Sequence, residues 1–176
     1  EWAQGSRLVL LTSHRRENIG KPMHEMFAAV RVVVQSHPDV KVVYPVHPNP
    51  KVSQIAQSEL DGVERIRLVE PLDVLDFHNL INASYLVLTD SGGIQEEAPA
   101  LGKPVLVMRD CTERPEGVEA GTLALVGTKS AGIEASFSKL LDDSTAYDRM
   151  ARASNPYGDG FASRRIVDVL GRKESW

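Results

Sequence analysis

The sequence predicts an α/β fold with a doubly wound, mainly parallel, Rossmann-like sheet of about six strands. Two observations support this prediction. Apolar runs of strand length alternate along the chain with amphipathic stretches of helix length. No linker, repeat or low-complexity tract interrupts the alternation, and 176 residues suit a single domain. Because a strand–helix–strand unit crosses over to a parallel neighbour, the alternation predicts parallel pairing.

Each element follows from its local pattern of apolar residues. The predicted strands are short apolar runs: Arg7–Ser13, Lys41–Val46, Arg65–Val69, Tyr85–Thr89, Val105–Met108 and Thr122–Val126. The predicted helices are Pro22–Ser36, Lys51–Leu60, Asp73–Ala83, Ser91–Leu101, Ser130–Asp142, Thr145–Ala153 and Gly160–Leu170. Apolar residues at helical spacing support Pro22–Ser36 and Asp73–Ala83. Only Arg109–Gly121 is long and irregular, and a long loop in a compact domain is usually functional.

Composition excludes several functional classes. The net charge is −4 and no basic stripe is visible, so we expect no nucleic-acid partner. No apolar run reaches the roughly 18 residues of a membrane span, so we expect no membrane insertion. Cys111 is the only cysteine, which we expect to be a buried structural thiol in a cytoplasmic protein. The five histidines match no metal-binding spacing, so no metal site is expected.

The most informative motif is DSGGIQEE, Asp90–Glu97, directly after a predicted strand. Ser91 suits an N-cap, and Gly92 and Gly93 leave the first N–H groups of the helix open to an anion. Glu97 lies one turn further on the same face, where its carboxylate can accept hydrogen bonds from ribose hydroxyls. This spacing predicts a nucleotide site, with tight helix–sheet packing as the alternative. The absence of a Walker loop and of GxGxxG disfavours ATP–Mg²⁺ and dinucleotides.

Three further stretches follow other predicted strands, at the edge where parallel sheets bind ligands. His14–Asn18, HRREN, suits an anion, and the alternative is a solvated loop with an arginine paired to Glu17. His47–Pro50, HPNP, is read first as a rigid strand-to-helix turn. Arg114, in the long loop, is a second candidate partner for a phosphate or carboxylate.

Taken together, five stretches resemble one family. They are SHRREN, YPVHPNP, LTDSGGIQEEAPALGKPVLVMRD, TERPEGVEAGT and NPYGDG. The series is similar to the non-hydrolysing UDP-N-acetylglucosamine 2-epimerases of bacteria, from about Arg7 to Leu170. The resemblance implies two Rossmann-like domains facing across a cleft, as in type B glycosyltransferases. This chain, residues 1–176, resembles the carboxyl-terminal UDP-binding domain, and the amino-terminal domain is absent from it. The chain begins with Glu1 rather than Met, which agrees with a piece of a longer protein.

The resemblance implies a set of contacts for UDP. Ser91, Gly92 and Gly93 match the motif that binds the two phosphates. Glu97 matches the ribose ligand, and Arg114 matches a further substrate contact.

The resemblance also implies roles beside the phosphates. Phe77 matches an aromatic residue that stacks near uracil, and Leu72 stands where some members have a glutamine in the uracil pocket. His14 matches the family's essential histidine near the leaving diphosphate. Arg15 and His47 match positions that, in some members, contact a second UDP-N-acetylglucosamine (UDP-GlcNAc) bound as an allosteric activator. This match favours a ligand-binding role for His47 over a purely structural role in the turn.

The reaction implied is interconversion of UDP-GlcNAc and UDP-N-acetylmannosamine (UDP-ManNAc) by elimination and re-addition of UDP, without a cofactor. The family's acid/base carboxylates lie on the absent domain, so we expect this chain alone to bind UDP weakly without turnover. The complete enzyme is expected to be a cytoplasmic homodimer. Three alternatives stay open: the nucleotide-sugar-binding half of a glycosyltransferase, a hydrolysing epimerase, and a non-catalytic UDP-sugar-binding domain.

Overall fold

Six parallel strands form a single sheet in the computed structural model, which describes residues 2–171. The strand order is β3-β2-β1-β4-β5-β6, and every neighbouring pair is parallel. The strands are β1 Arg7–Thr12, β2 Val40–Pro45, β3 Ile66–Val69, β4 Leu86–Thr89, β5 Val105–Val107 and β6 Leu123–Leu125. The predicted doubly wound α/β fold is therefore confirmed, and the described sheet is wholly parallel.

Helices connect the strands and follow the last one. They are α1 Lys21–Ser36, α2 Pro50–Leu60, α3 Val74–Ala83, α4 Gly92–Ala100, α5 Pro115–Ala120, α6 Ser130–Asp142, α7 Ser144–Ala151 and α8 Ala162–Gly171. A single 3-10 turn, Arg16–Asn18, follows β1. The prediction of an irregular Arg109–Gly121 is wrong in its second half, because Pro115 opens the six-residue α5. None of the helices within residues 2–171 has both the length and the apolar character that a membrane crossing requires.

Side chains of alternate strand residues fill a core on each face of the sheet. Val9 and Leu11 of β1 join α1, α2 and α6 in one cluster, around Phe27. Leu10 points to the other face and joins α3 and α4, around Ile81. Strands buried on both faces read as continuous apolar runs, which is why the sequence identified them.

The strand order creates a switch point between β1 and β4. The chain proceeds outward from β1 to β2 and β3, then returns to the centre and proceeds outward again from β4 to β5 and β6. In such sheets the two sets of connections diverge beyond the carboxyl ends of the two central strands and leave a crevice there. The segments after β1 and β4 border this crevice.

The segment after α7 packs back on the domain before α8 begins. The Asn155 side chain accepts a hydrogen bond from the Tyr157 N–H at 3.2 Å, closing the predicted NPYGDG turn. Tyr157 packs against the Leu10 cluster and lies over Gly117, where an added Cβ would stand 2.5 Å from Leu123 Cδ1. Only glycine fits this contact. The helix α8 that follows has no buried residue among those described.

Candidate functional site

The four stretches singled out from the sequence lie at one edge of the sheet. His14–Asn18 follows β1, His47–Pro50 follows β2, Asp90–Glu97 follows β4, and Arg109–Gly121 follows β5. The expectation that these stretches share the carboxyl edge is confirmed, because all the described strands run in the same direction.

A buried carboxylate, Asp90, fixes the loop after β1. Asp90 is fully buried at the end of β4. Its carboxylate accepts hydrogen bonds from Ser13 Oγ at 2.9 Å, the His14 N–H at 3.0 Å, the Arg15 N–H at 3.0 Å and Asn18 Nδ2 at 2.9 Å. The sequence reasoning assigned no role to Asp90 or Asn18. The available signal was an acidic residue directly after a mainly apolar strand, where a buried charged group needs dedicated partners.

Two imidazole rings meet across the β1 and β2 loops. The His14 and His47 rings stack with centroids 5.3 Å apart. His47 Nδ1 accepts a hydrogen bond from the Asn49 N–H at 3.1 Å, so the neutral ring carries its proton on Nε2. Burial lowers the pKa of His14, the charges of His47 and Arg15 lower it further, and Asp90 opposes them. His14 is therefore mainly neutral at neutral pH, so one ring nitrogen is able to accept a proton and the other is able to donate a hydrogen bond.

The same two histidines line a small cavity. It has a volume of roughly 180 Å³ and is lined mainly by apolar groups, including Leu72, Phe77 and Ile94. The HPNP segment is also the rigid turn that the sequence predicted, since Asn49 Oδ1 accepts the Lys51 N–H at 3.0 Å and caps α2. His47 thus belongs both to the turn that precedes α2 and to the lining of the cavity.

The start of α4 faces a guanidinium group. Ser91 occupies the N-cap position of α4, as predicted, although its side chain makes no capping hydrogen bond. The Ser91 N–H instead donates to Thr89 Oγ1 at 2.9 Å. An added Cβ on Gly92 would lie 3.3 Å from Arg15 Nη2, and Arg15 Nε donates to the Asp90 carbonyl at 3.2 Å. A cation and the positive end of a helix dipole therefore lie side by side.

Glu97 lies on the glycine face of α4, as predicted from its spacing. An added Cβ on Gly93 would stand 3.5 Å from Glu97 Oε1. Glu97 Oε2 is 3.2 Å from His78 Nε2, and about half of each side chain is exposed. The carboxylate is therefore accessible from the crevice side of the helix start, with His78 as its neighbour.

Arg114 is paired within the site. Its Nε donates to Glu96 on α4, and its Nη1 donates to the Glu113 carbonyl at 3.1 Å. The Glu96 pair raises the pKa of the Arg114 guanidinium. Arg114 is therefore held beside the first turns of α4, within the group of segments that borders the crevice.

The predicted alternative for the HRREN loop had an arginine paired with Glu17, and Glu17 does pair with an arginine. The partner is Arg109 of the loop after β5, at 3.2 Å. Arg109 is almost fully buried and also makes a two-pronged ion pair with Glu113, at 2.6 and 3.0 Å. The Arg109 guanidinium lowers the pKa of Glu113 to about 2. This arginine, which the sequence reasoning missed, links the loops after β1 and β5.

Two further expectations concern Cys111 and metals. Cys111 is exposed, so the expectation of a buried thiol is wrong: it lies in the loop between β5 and α5 rather than on a strand. Across residues 2–171, no group of three or more His, Cys, Asp or Glu side chains is arranged to hold a metal ion.

Comparison with known proteins gives a consistent result. A family model described as UDP-N-acetylglucosamine 2-epimerase matches residues 1–171. The UDP-N-acetylglucosamine 2-epimerase of Bacillus subtilis is 58% identical over 164 residues, which is 93% of this chain and 43% of that protein. The Escherichia coli K12 protein of the same name is 49% identical and covers 93% of this chain and 44% of its own length.

Solved structures agree. The MnaA–UDP co-structure from S. aureus superposes with a TM-score of 0.93 at 55% identity, over 96% of this chain and 46% of that one. UDP-GlcNAc 2-epimerase from Neisseria meningitidis bound to UDP-GlcNAc superposes with a TM-score of 0.90 at 45% identity, over 94% of this chain and 44% of that one. The chain spans less than half the length of these relatives. The match over residues 1–171 shows that the chain belongs to the UDP-N-acetylglucosamine 2-epimerase family.

Proposed function

We propose that residues 1–176 form the carboxyl-terminal, UDP-binding domain of a non-hydrolysing UDP-GlcNAc 2-epimerase. The longer enzyme would interconvert UDP-GlcNAc and UDP-ManNAc, and its amino-terminal domain would be the partner across the cleft. The observation that carries the proposal is the convergence of His14, Arg15 and the start of α4 at the β1–β4 switch point, around buried Asp90. Family membership supports the choice of UDP among anionic ligands.

The proposed pose of UDP follows the order of groups along the crevice. The diphosphate lies on Ser91, Gly92 and Gly93, where the backbone N–H groups and the dipole of α4 favour negative charge. Glu97 accepts hydrogen bonds from the ribose, because it lies on the face of Gly93. Arg114, held by Glu96 beside α4, exchanges part of that ion pair for the diphosphate.

The uracil is proposed to enter the cavity beside Leu72 and Phe77. Its apolar lining suits the face of a pyrimidine, and Leu72 offers only backbone hydrogen bonds to the base edge. Arg15 and His47 are proposed contacts for a second, activating UDP-GlcNAc. Support comes from the position of His47 against His14 and of Arg15 against Gly92, which would put the activator next to the substrate.

The reaction begins with elimination. A base removes the proton from C2 of the sugar, and the C2–H electron pair forms a double bond between C1 and C2. The bond between C1 and the diphosphate oxygen breaks, and its electron pair leaves with UDP. Negative charge then grows on the diphosphate, where the start of α4 and nearby cations stabilise it. Neutral His14, whose pKa burial lowers, is suited to donate a hydrogen bond from its ring N–H to the leaving oxygen as negative charge grows there.

Re-addition of UDP with protonation of C2 on the opposite face completes the inversion. The proposal assigns the C2 acid/base carboxylates to the part of the enzyme outside this chain. It also includes a homodimer and a cytoplasmic enzyme, which sedimentation of the longer protein and cell fractionation would test.

The test uses two proteins, the 176-residue chain and the longer protein that carries it. Titration calorimetry should show UDP binding to the chain, with UMP weaker than UDP and uridine weaker still. NMR of the products should show UDP-ManNAc only with the longer protein. Release of free N-acetylmannosamine would identify a hydrolysing epimerase instead, and transfer of the sugar to an acceptor would identify a glycosyltransferase.

A further inference from the structure

Two fully buried polar side chains flank the Ser91–Gly93 turn, and neither has an assigned role. Asp90 precedes the turn and Gln95 follows it, and both are 0% exposed. Burial of an ionised carboxylate or an amide costs several kcal/mol unless hydrogen bonds replace water. Each side chain is bonded to a loop that borders the crevice.

Asp90 holds the loop after β1. Its two carboxylate oxygens accept the backbone N–H groups of His14 and Arg15, at 3.0 Å each, together with Ser13 Oγ and Asn18 Nδ2. Four donors leave this carboxylate little capacity for a ligand. Asp90 therefore acts on the crevice only through the residues that it holds.

Gln95 holds the loop after β5. Its Nε2 donates to the Ser91 carbonyl at 3.0 Å, and its Oε1 accepts from Thr112 Oγ1 at 2.5 Å. Thr112 Oγ1 in turn accepts the Arg114 N–H at 3.0 Å. An unbroken series of hydrogen bonds thus joins the carbonyl of the turn, through a buried amide and one hydroxyl, to the backbone of Arg114.

The hydrogen bonds of Asp90 and those of Gln95 follow the same pattern. One side chain from each side of the glycine turn bonds to a loop that is distant in sequence. Groups held by buried, fully paired hydrogen bonds are preorganised, so they bind or stabilise charge without first rearranging.

We propose that Asp90 and Gln95 are positioning residues that set the His14–Arg15 loop and the Arg114 loop against the Ser91–Gly93 turn, so that three segments meet one diphosphate. Thr112 is the link through which Gln95 acts. The proposal rests on the proposed function for its ligand, but the hydrogen bonds that it invokes belong to the chain without a ligand. The two are therefore separable by experiment.

The first experiment uses Thr112, because one conservative variant loses its hydroxyl and another keeps it. Thr112→Val removes both hydrogen bonds at nearly constant volume, and Thr112→Ser keeps them. Calorimetry on the 176-residue chain should give about a tenfold loss of UDP affinity for Thr112→Val and less than about a twofold loss for Thr112→Ser.

A double-mutant cycle shows whether Thr112 acts through Arg114. With Arg114→Ala already in place, Thr112→Val should cost less than about a twofold further loss, because the group that Thr112 positions is gone. Additive losses would overturn the proposal for Gln95 and Thr112, since a purely structural role would weaken binding whether or not Arg114 is present.

The second experiment needs no UDP. Amide exchange measured by NMR should be faster for the Arg114 N–H in Thr112→Val than in Thr112→Ser, and faster for the His14 and Arg15 N–H groups in Asp90→Asn than in the wild type. In Asp90→Asn the pKa of His14, measured by NMR, should fall further, because Asp90 is the group that raises it. If Asp90→Asn does not fold, Asn18→Ala removes a single donor and tests the same loop.

These readouts separate the two proposals. If the wild-type chain does not bind UDP but the exchange differences are present, the proposal of UDP as the ligand is refuted and the positioning proposal stands. Unchanged exchange of the Arg114, His14 and Arg15 amides in the variants would overturn the positioning proposal even if UDP binds well.

Discussion

The crevice has two walls that differ in how they are built. The phosphate wall, His14–Asn18 with Asp90–Gly93, rests on Asp90 at 0% and Asn18 at 3% exposure, and side-chain hydrogen bonds fix its backbone. The base wall, Leu72–Phe77, has Val74 and Leu75 at 65% and 73% exposure. Within the described residues of this wall, the hydrogen bond from a backbone group to a side chain is the one that caps α3, in which the Asp73 carboxylate accepts from the Asp76 N–H.

If the chain binds UDP as proposed, the difference predicts that the two walls recognise it in different ways. The phosphate wall is preformed, because its buried carboxylate would be unpaired in any other arrangement of the loop. The base wall exposes apolar surface, which gains stability when a uracil or another part of the enzyme covers it. Variants in the phosphate wall should therefore have large, specific effects, and variants in the base wall smaller ones.

The largest expected effect is on turnover. His14→Ala in the longer protein should lower kcat by about 100- to 1,000-fold, the size of the loss of one hydrogen-bond donor to a developing oxyanion, and change UDP affinity less than about threefold. Steady-state kinetics and calorimetry on the same preparation provide both values. Small losses of equal size in kcat and in UDP affinity would show that His14 only supports the structure of the loop.

The next effect tests whether the helix start receives the diphosphate. Gly93→Leu should lower UDP affinity about 100-fold, because the side chain excludes the phosphates from two N–H donors. The fold should survive, since the nearest group to an added Cβ is Glu97 Oε1 at 3.5 Å. Gly171→Leu, in α8 with open space around it, is the matched control and should bind UDP normally. Wild-type affinity in Gly93→Leu would contradict the assignment.

A smaller effect is expected in the base wall. Phe77→Ala should weaken UDP binding about tenfold, the contribution of one stacked base. Phe161→Ala, which removes an equally large ring from an exposed position before α8, is the control. If Phe77→Ala costs as much as Gly93→Leu, the contrast between the walls is wrong.

The smallest expected effect is a pH dependence of stability. The pKa of His14 is lower in the folded chain than in the unfolded one, so the unfolded chain binds more protons as pH falls. His14 therefore lowers stability at acidic pH, and His14→Gln should gain stability relative to wild type between pH 7.5 and 5.5. The gain should be less than about 1 kcal/mol, because 36% of the side chain is exposed. Urea unfolding at the two pH values measures it, and a relative loss would contradict the account.

The sequence predicted most of the fold because its signals are local. Buried parallel strands read as apolar runs, and α1 and α3 read as periodic ones. The helix α5 was missed because six residues opened by a proline carry no periodicity. Cys111 was misjudged because the burial of a loop residue depends on what packs over the loop.

The site was predicted in part for a similar reason. Spacing within one helix was enough to put Glu97 on the face of Gly93. No local pattern could reveal Asp90, whose partners come from a loop 72 to 77 positions earlier in the chain. The same holds for Gln95 and Thr112, which are 17 positions apart and meet only in the folded chain.

Titration of the isotope-labelled 176-residue chain with UDP, followed by backbone amide NMR, tests the central claim most directly. The account predicts saturable shifts concentrated at Gly92, Gly93, His14 and Arg15, with a second group at Leu72 and Phe77. UMP should cause the same shifts at Leu72 and Phe77, and smaller shifts at the residues of the phosphate wall. Saturable shifts confined to other parts of the sheet, or no shifts at millimolar UDP, would contradict a UDP site at the β1–β4 switch point.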